Sequence, residues 1–234
     1  MEIDDEKIVA LKDMVTAAQQ EFDMVVAFHE IWKPAAYDYE LHSRLGKSYA
    51  TQAFLVTRTA LRREVVLALI RLWDTTKKSV RMELIWHHLR NKEVIDALAR
   101  DRASRMGWGD VLEYVQEDLT GKANKVLELI GKYREEGSNH NVLANLRKLR
   151  NERLAHRQTA PSQATAPGAS ATDEEIEEFY QDNSKLVQIL LSLVNAMAYD
   201  PQDTAGVYGF YAKSFWERSQ PDPTRTSAKE TSSS

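Results

Sequence analysis

Between residues 4 and 33, Ile8, Leu11, Val15, Ala18, Phe22, Val25, His29 and Trp32 recur in alternating steps of three and four. A heptad stripe sustained over about seven helical turns predicts one long amphipathic helix packed against partners. Pro34 is expected to end it. His29 then reads as the edge of a core stripe. Nine glycines and six prolines are too few for a chain of many short strands. Leu, Ala, Glu, Lys and Arg are abundant, which favours helix. The expected fold is all-α, a bundle of five or six helices.

Later segments follow the same period. Residues 35–47 read as a connection or short helix, and a second long helix spans about 48–73, burying Leu61, Val65, Leu69, Leu72 and Trp73. A helix over about 80–103 follows, with Val80, Leu84, His87 or His88, Val94, Ile95 and Leu98 along its stripe. Gly107 and Gly109 mark a turn before a helix running to about 135, with Val111, Leu112, Val115, Leu119, Ala123, Val126, Ile130 and Tyr133 inside. Thr172, three residues before Glu175, has the capping-box pattern and opens a helix whose stripe reaches Val194 and Met197. Asp200-Pro201 is expected to stop that helix.

The expected organisation is a bundle over 1–200, with a flexible loop at 158–171 that is rich in Ala, Pro, Ser, Thr and Gln. An aromatic segment at 201–217 (Tyr208, Phe210, Tyr211, Phe215, Trp216) is expected to dock on it as a short helix, leaving a disordered tail at 218–234.

Several function classes are set aside at this point. There is no cysteine, hence no disulfide framework, thiolate metal site or cysteine nucleophile. His87 and His88 are adjacent and point about 100° apart on a helix, so they do not share one ion easily. No metal site and no cofactor is expected. MEIDDEKIV does not open like a secretory signal, and Leu186–Tyr199 is too short to span a bilayer. The expectation is a soluble, cytoplasmic protein with no membrane partner. A net charge of −4 argues against general coating of nucleic acid, though not against a local basic groove.

Such a local concentration exists at 141–157, NVLANLRKLRNERLAHR. Arg147, Lys148, Arg150, Arg153 and Arg157 crowd against one acid, Glu152, and enclose His156. Leu143, Leu146 and Leu149 give the segment a buried helical face, so the basic groups emerge along its flank. A histidine among fixed cations is disfavoured as imidazolium, which keeps a basic imidazole available near neutral pH. The matching chemistry is RNA cleavage without metal. A base takes the 2′-hydroxyl proton, a cation stabilises charge on the phosphate, and an acid protonates the leaving 5′-oxygen. With one clustered histidine per chain, a symmetric dimer is the economical way to supply two.

LRKLRNERLAHR resembles the signature of the HEPN superfamily, an Arg followed after four to six residues by a His, often with a polar residue directly after the Arg. Arg150, Asn151 and His156 match it position by position. The earlier ALIRLWDTTKKSV resembles the AbiU-type abortive-infection branch of that superfamily, and the similarity covers roughly residues 45–200. The resemblance implies an all-α bundle that dimerises with Arg–His motifs facing across a two-fold axis, and an endoribonuclease in a toxin–antitoxin or phage-defence system. It implies His156 as acid/base or 2′-hydroxyl activator, Arg150 as phosphate clamp and Asn151 as an orienting group. RNA is the implied substrate, and an antitoxin such as a minimal nucleotidyltransferase an implied partner. Charge alone adds Arg147, Lys148, Arg153 and Arg157 as RNA-backbone contacts. Asp74 reads as a helix-terminal acid, or as a supporting acid of the site. The alternative function is a non-catalytic HEPN module that binds nucleotide, RNA or protein.

Overall fold

Helix α1 (Asp5–Tyr37) takes up the whole N-terminal stripe and is 33 residues long, about 50 Å at 1.5 Å per residue. The computed structural model describes residues 5–45, 50–74, 80–106, 111–150 and 171–218. Leu11, Val15, Ala18, Phe22 and Val25 are all fully buried along α1, as the period requires. His29 is also buried, with its Nδ1 3.1 Å from Glu30 Oε1.

Pro34 does not end α1. Its ring removes one backbone donor, but the helix resumes at once, since the carbonyl of Pro34 accepts from Asp38 N at 2.9 Å. Burial of Trp32, Ala35 and Ala36 around the proline, with the Tyr37 ring edge-on to Trp32, supplies the packing that carries the helix through.

The architecture is all-α. Eight further α-helices follow among the described residues: α2 (Tyr39–Leu45), α3 (Thr51–Arg71), α4 (Met82–Leu89), α5 (Lys92–Met106), α6 (Leu112–Gly131), α7 (His140–Leu149), α8 (Asp173–Leu190) and α9 (Pro201–Arg218). The expected five or six helices are therefore nine. One source of the difference is the segment 80–103, which is two helices. Asn91 stops it and restarts it, its side-chain oxygen accepting from Glu93 N at 3.0 Å as an N-cap. The end of α8 differs in another way, without changing the count. The chain widens into a π-helical turn at Leu191–Asn195 and stops at Ala196, whose φ of 55° is left-handed. Met197 is consequently exposed rather than part of the stripe, as is Leu112 at the start of α6.

The chain divides into two compact units. The first lies within Met1–Asp23 and Val66–Asp200, the second within Met24–Val65 and Pro201–Ser234. In this division residues 24–65 fall with α9 rather than with the remainder of 1–200.

In the first unit α6 lies against α4, α5 and α8. Its inner face is Val115, Leu119, Ala123, Val126 and Ile130, each burial stabilising by about 1.5–3 kcal/mol for the larger side chains. An aromatic cluster of Trp73, Tyr133 and Phe179 closes this core, with centroids 4.8–5.9 Å apart. Its polar atoms are satisfied. Trp73 Nε1 donates to Asn183 Oδ1 at 2.8 Å, and Tyr133 Oη donates to Asp182 Oδ2 at 2.8 Å. Thr172 caps α8 through both halves of the expected capping box.

The second unit has its own small core of Ala35, Leu41, Leu45, Phe54, Ala212 and Trp216. Asp38 caps α2 by accepting from Leu41 N at 3.0 Å. Helix α9 begins with Pro201, as suits a first helical position, and is longer than the expected short helix. Of its five aromatics only Trp216 is fully buried. Its indole Nε1 donates to Ile31 O at 2.9 Å, and Arg44 Nη2 donates to the Trp216 carbonyl at 2.8 Å. Phe210, Tyr211 and Phe215 are exposed.

Candidate functional site at the end of helix α7

The loop before α7 fixes where that helix starts. Gly137 comes so close to the end of α6 that a Cβ there would collide with the carbonyl oxygens of Gly131 and Lys132. Asn139 N donates to Lys132 O at 2.8 Å, and α7 begins one residue later. Leu143 and Leu146 are buried and Leu149 is half-buried. Arg147 and Arg150, three residues apart, emerge on a shared flank.

Arg147 is half-buried, and its Nη2 donates to the Trp73 carbonyl at 2.7 Å. Trp73 lies two residues past the end of α3, so a basic side chain of α7 occupies a carbonyl of the connection just beyond that helix. Burial, and next the neighbouring Arg150, push the Arg147 guanidinium below its usual range, while Asp74 and Glu83 pull it back up. It stays a cation at any physiological pH. Arg150 is half-buried and directly follows α7, its backbone N–H shared between Arg147 O and Leu146 O. Lys148 is exposed on the outer side.

Asp74 lies in the connection between α3 and α4, next to the isolated bridge that joins Trp73 to Arg81. Its influence on Arg147 sets it among the charges of this cluster rather than at a helix end alone.

Glu83 of α4 is the acid that periodicity did not single out. Arg134 grips it through Nε and Nη2, both at 2.8 Å, and this pairing holds the Glu83 carboxyl below the usual range against the opposing effect of burial. His87 Nε2 lies 3.2 Å from the same carboxylate. The Arg134 guanidinium sits 3.5 Å from the centre of the Trp86 ring, and that of Arg90 sits 4.5 Å from it. His87 is thus exposed beside Glu83, while His88 is half-buried, as adjacent positions on one helix require. Burial, then Lys7 and His87, push the His88 imidazole below its usual range.

Of the seven expected site residues, Arg147, Lys148 and Arg150 are brought to this end of α7. Asn151, Arg153, His156 and Arg157 lie outside the described residues, as does the loop expected at 158–170. The described part gathers two guanidinium groups on one flank of α7, with Asp74 acting on Arg147, while Glu83 of α4 is paired with Arg134.

No helix among the described residues is long and apolar enough to cross a membrane. No curated protein and no solved structure matches the chain. The family model of AbiU2, a HEPN family, matches residues 8–215, from the second turn of α1 to the last turn of α9. The match takes in both compact units and the whole basic stretch, and on it the chain belongs to the AbiU2 family of HEPN proteins.

Proposed function

We propose that the protein is a metal-independent endoribonuclease that works as a homodimer, with Arg150, Asn151 and His156 of each chain completing a composite site. The observation that carries this reading is the position of Arg150. The first residue of the Arg–His motif directly follows α7, beside Arg147, on a helix whose opposite face is buried. A phosphate there meets two cations, and a histidine six residues further along the chain supplies the proton transfer. His156 is the base or acid toward the 2′-hydroxyl, Arg150 clamps the phosphate and Asn151 orients it. Lys148, Arg153 and Arg157 contact the RNA backbone. Arg147 contributes charge from a fixed position. Membership of an abortive-infection family supports a toxin–antitoxin or phage-defence setting, with an antitoxin such as a minimal nucleotidyltransferase as partner.

The test is cleavage of a labelled single-stranded RNA in chelator by wild type and His156→Ala side by side. Wild type is expected to leave 2′,3′-cyclic phosphate ends, and the variant to lose at least about 100-fold in rate. Equal cutting by both would sink the assignment. Binding without cutting, by a folded protein, would support the non-catalytic module instead. Sedimentation should give twice the chain mass of 26.7 kDa, and a strict monomer would count against the composite site.

A further inference from the structure

Helix α9 buries Pro201, Ala212 and Trp216 along one side. At 100° per residue, Asp203, Val207, Phe210, Ser214 and Arg218 lie within about 80° of one another on the opposite side. This outer stripe is apolar in the middle and charged at its two ends. Val207 is 50% exposed, Phe210 68%, and the flanking Tyr211 and Phe215 56% each. The ring contacts of Phe210 and Tyr211 stay within α9, Phe210 with Tyr211 and Tyr211 with Tyr208. So apolar an outer face marks an interaction surface.

The charges select the occupant. Those of α9 are Asp203, Glu217, Lys213 and Arg218, two of each sign, and Lys213 pairs with Glu217 at 3.8 Å. The groups that reach α9 from its neighbours, Glu30 beside Gly209 and Arg44 on the Trp216 carbonyl, are again one acid and one base. No surplus of positive charge gathers the phosphates of RNA or of lipid headgroups. The chain beyond α9, SQPDPTRTSAKETSSS, offers no apolar side chain larger than alanine or proline to lay on three rings. A second copy of α9 meets both requirements. Asp203 stands in the first turn and Arg218 in the last, so two α9 helices running antiparallel set each acid opposite the other copy's base. A two-fold axis that does so passes between Phe210 and Tyr211, and it brings Val207 level with the partner's Ser214. Tyr211, Ser214, Phe215 and Arg218 line a hollow. Their spacing, i, i+3, i+4 and i+7, is that of the four-residue hole that receives a knob in coiled-coil packing. Charge and shape thus ask for the same register.

We infer that α9 packs antiparallel on α9 of a second copy of this chain, with Val207 as the knob in the partner's hollow and Asp203 beside the partner's Arg218. Three rings of 150–250 Å² each, all more than half exposed, supply roughly 270–450 Å² per copy toward the roughly 800 Å² that a standard interface buries on each side. Val207, Ser214 and the charged ends add to it along the 18 residues of α9. The contact goes beyond the nuclease reading and does not rest on it, since no residue of the Arg–His motif takes part.

The chain has no cysteine, so single introduced cysteines report the register directly. Val207→Cys and Ser214→Cys, each in the full chain, are mixed at tens-of-micromolar concentration and treated with a short bis-maleimide. The mixture should give at least about fivefold more cross-linked dimer than either variant alone, because two copies of the same position stand about 10 Å apart along the axis. Phe210→Glu, an exposed substitution placed in both partners, should remove the cross-link, even where a contact at α7 keeps the chain dimeric. Asp203→Arg, likewise in both, should lower it about three- to tenfold. No cross-link in the mixture, equal cross-linking of Val207→Cys alone, or a cross-link indifferent to Phe210→Glu or to Asp203→Arg would each overturn the inference. RNA cleavage is read separately, so the nuclease reading can fail while the α9 contact stands, and the reverse.

Discussion

At the scale of single residues, the basic stretch around α7 is not uniform. Arg147 is tied to the Trp73 carbonyl and half-buried, whereas Lys148, its neighbour, is exposed. Charge counting treats them alike, and the difference arises from a partner 74 residues away in sequence. Arg147→Ala should therefore cost about 1.5–3 kcal/mol in urea unfolding, the range for a hydrogen bond to a charged group. Lys148→Ala should stay within about 0.5 kcal/mol of wild type. Equal stabilities would mean that Arg147 does not hold the end of α3. Glu83 makes a second prediction. Its carboxyl titrates lower when folded than the ordinary 4.5, so the stability it lends is present above that value and is lost as pH falls through the folded one. Half its side chain is exposed, so the effect is small. Stability measured from pH 6 to pH 3 should fall more steeply for wild type than for Glu83→Gln, and parallel curves would show that Arg134 does not hold the carboxylate ionised.

At the scale of elements, apolar spacing located most helices and misplaced several ends. Periodicity reports which face is buried. It does not report where the backbone changes direction, because the stripe of Met82, Ile85 and Leu89 runs on into Val94, Ile95 and Leu98 without a break. The signal for the break was Asn91, a good N-cap followed by Glu93, and it is local and legible. Pro34 misled in the other direction, since the rule that proline ends a helix gives way where neighbouring residues are buried. The α7 motif was legible as a motif. Its surroundings were not, because Trp73 and Glu83 act on Arg147 from two other segments, and Arg134 pairs with Glu83 from a third, and no local pattern encodes such pairings. Two glycines separate the reasons for which that residue is used. Gly137→Ala should destabilise by about 1–3 kcal/mol or more, because the new Cβ meets fixed backbone. Gly121→Ala, in mid-helix with open space around it, should stabilise by about 0.5–1 kcal/mol. Thermal unfolding of both variants checks the pair, and a loss at Gly121 would contradict the open environment.

At the scale of the whole molecule, the chain is two compact units, neither of which is a continuous stretch of sequence. The second has a modest core, so a single aromatic weighs heavily in it. Trp216→Ala should cost about 3–5 kcal/mol, while Phe215→Ala, removing the exposed neighbouring ring, should cost less than about 0.5 kcal/mol. Amide hydrogen exchange in α2 should accelerate in the first variant and not in the second. Comparable effects from both would mean that Phe215 is packed as deeply as Trp216.

The same discontinuity has a consequence during synthesis. Leu41, Arg44, Leu45 and Phe54 leave the ribosome early, yet the tryptophan that covers them is 172 residues behind Arg44. At about 5–20 residues per second, the interval is roughly 9–34 s. Through that time a nascent chain presents unfinished apolar surface that α9 closes with Ala212 and Trp216. A chaperone acting on this protein would find its longest opportunity there, and a messenger cut short before α9 would yield a product that never closes it.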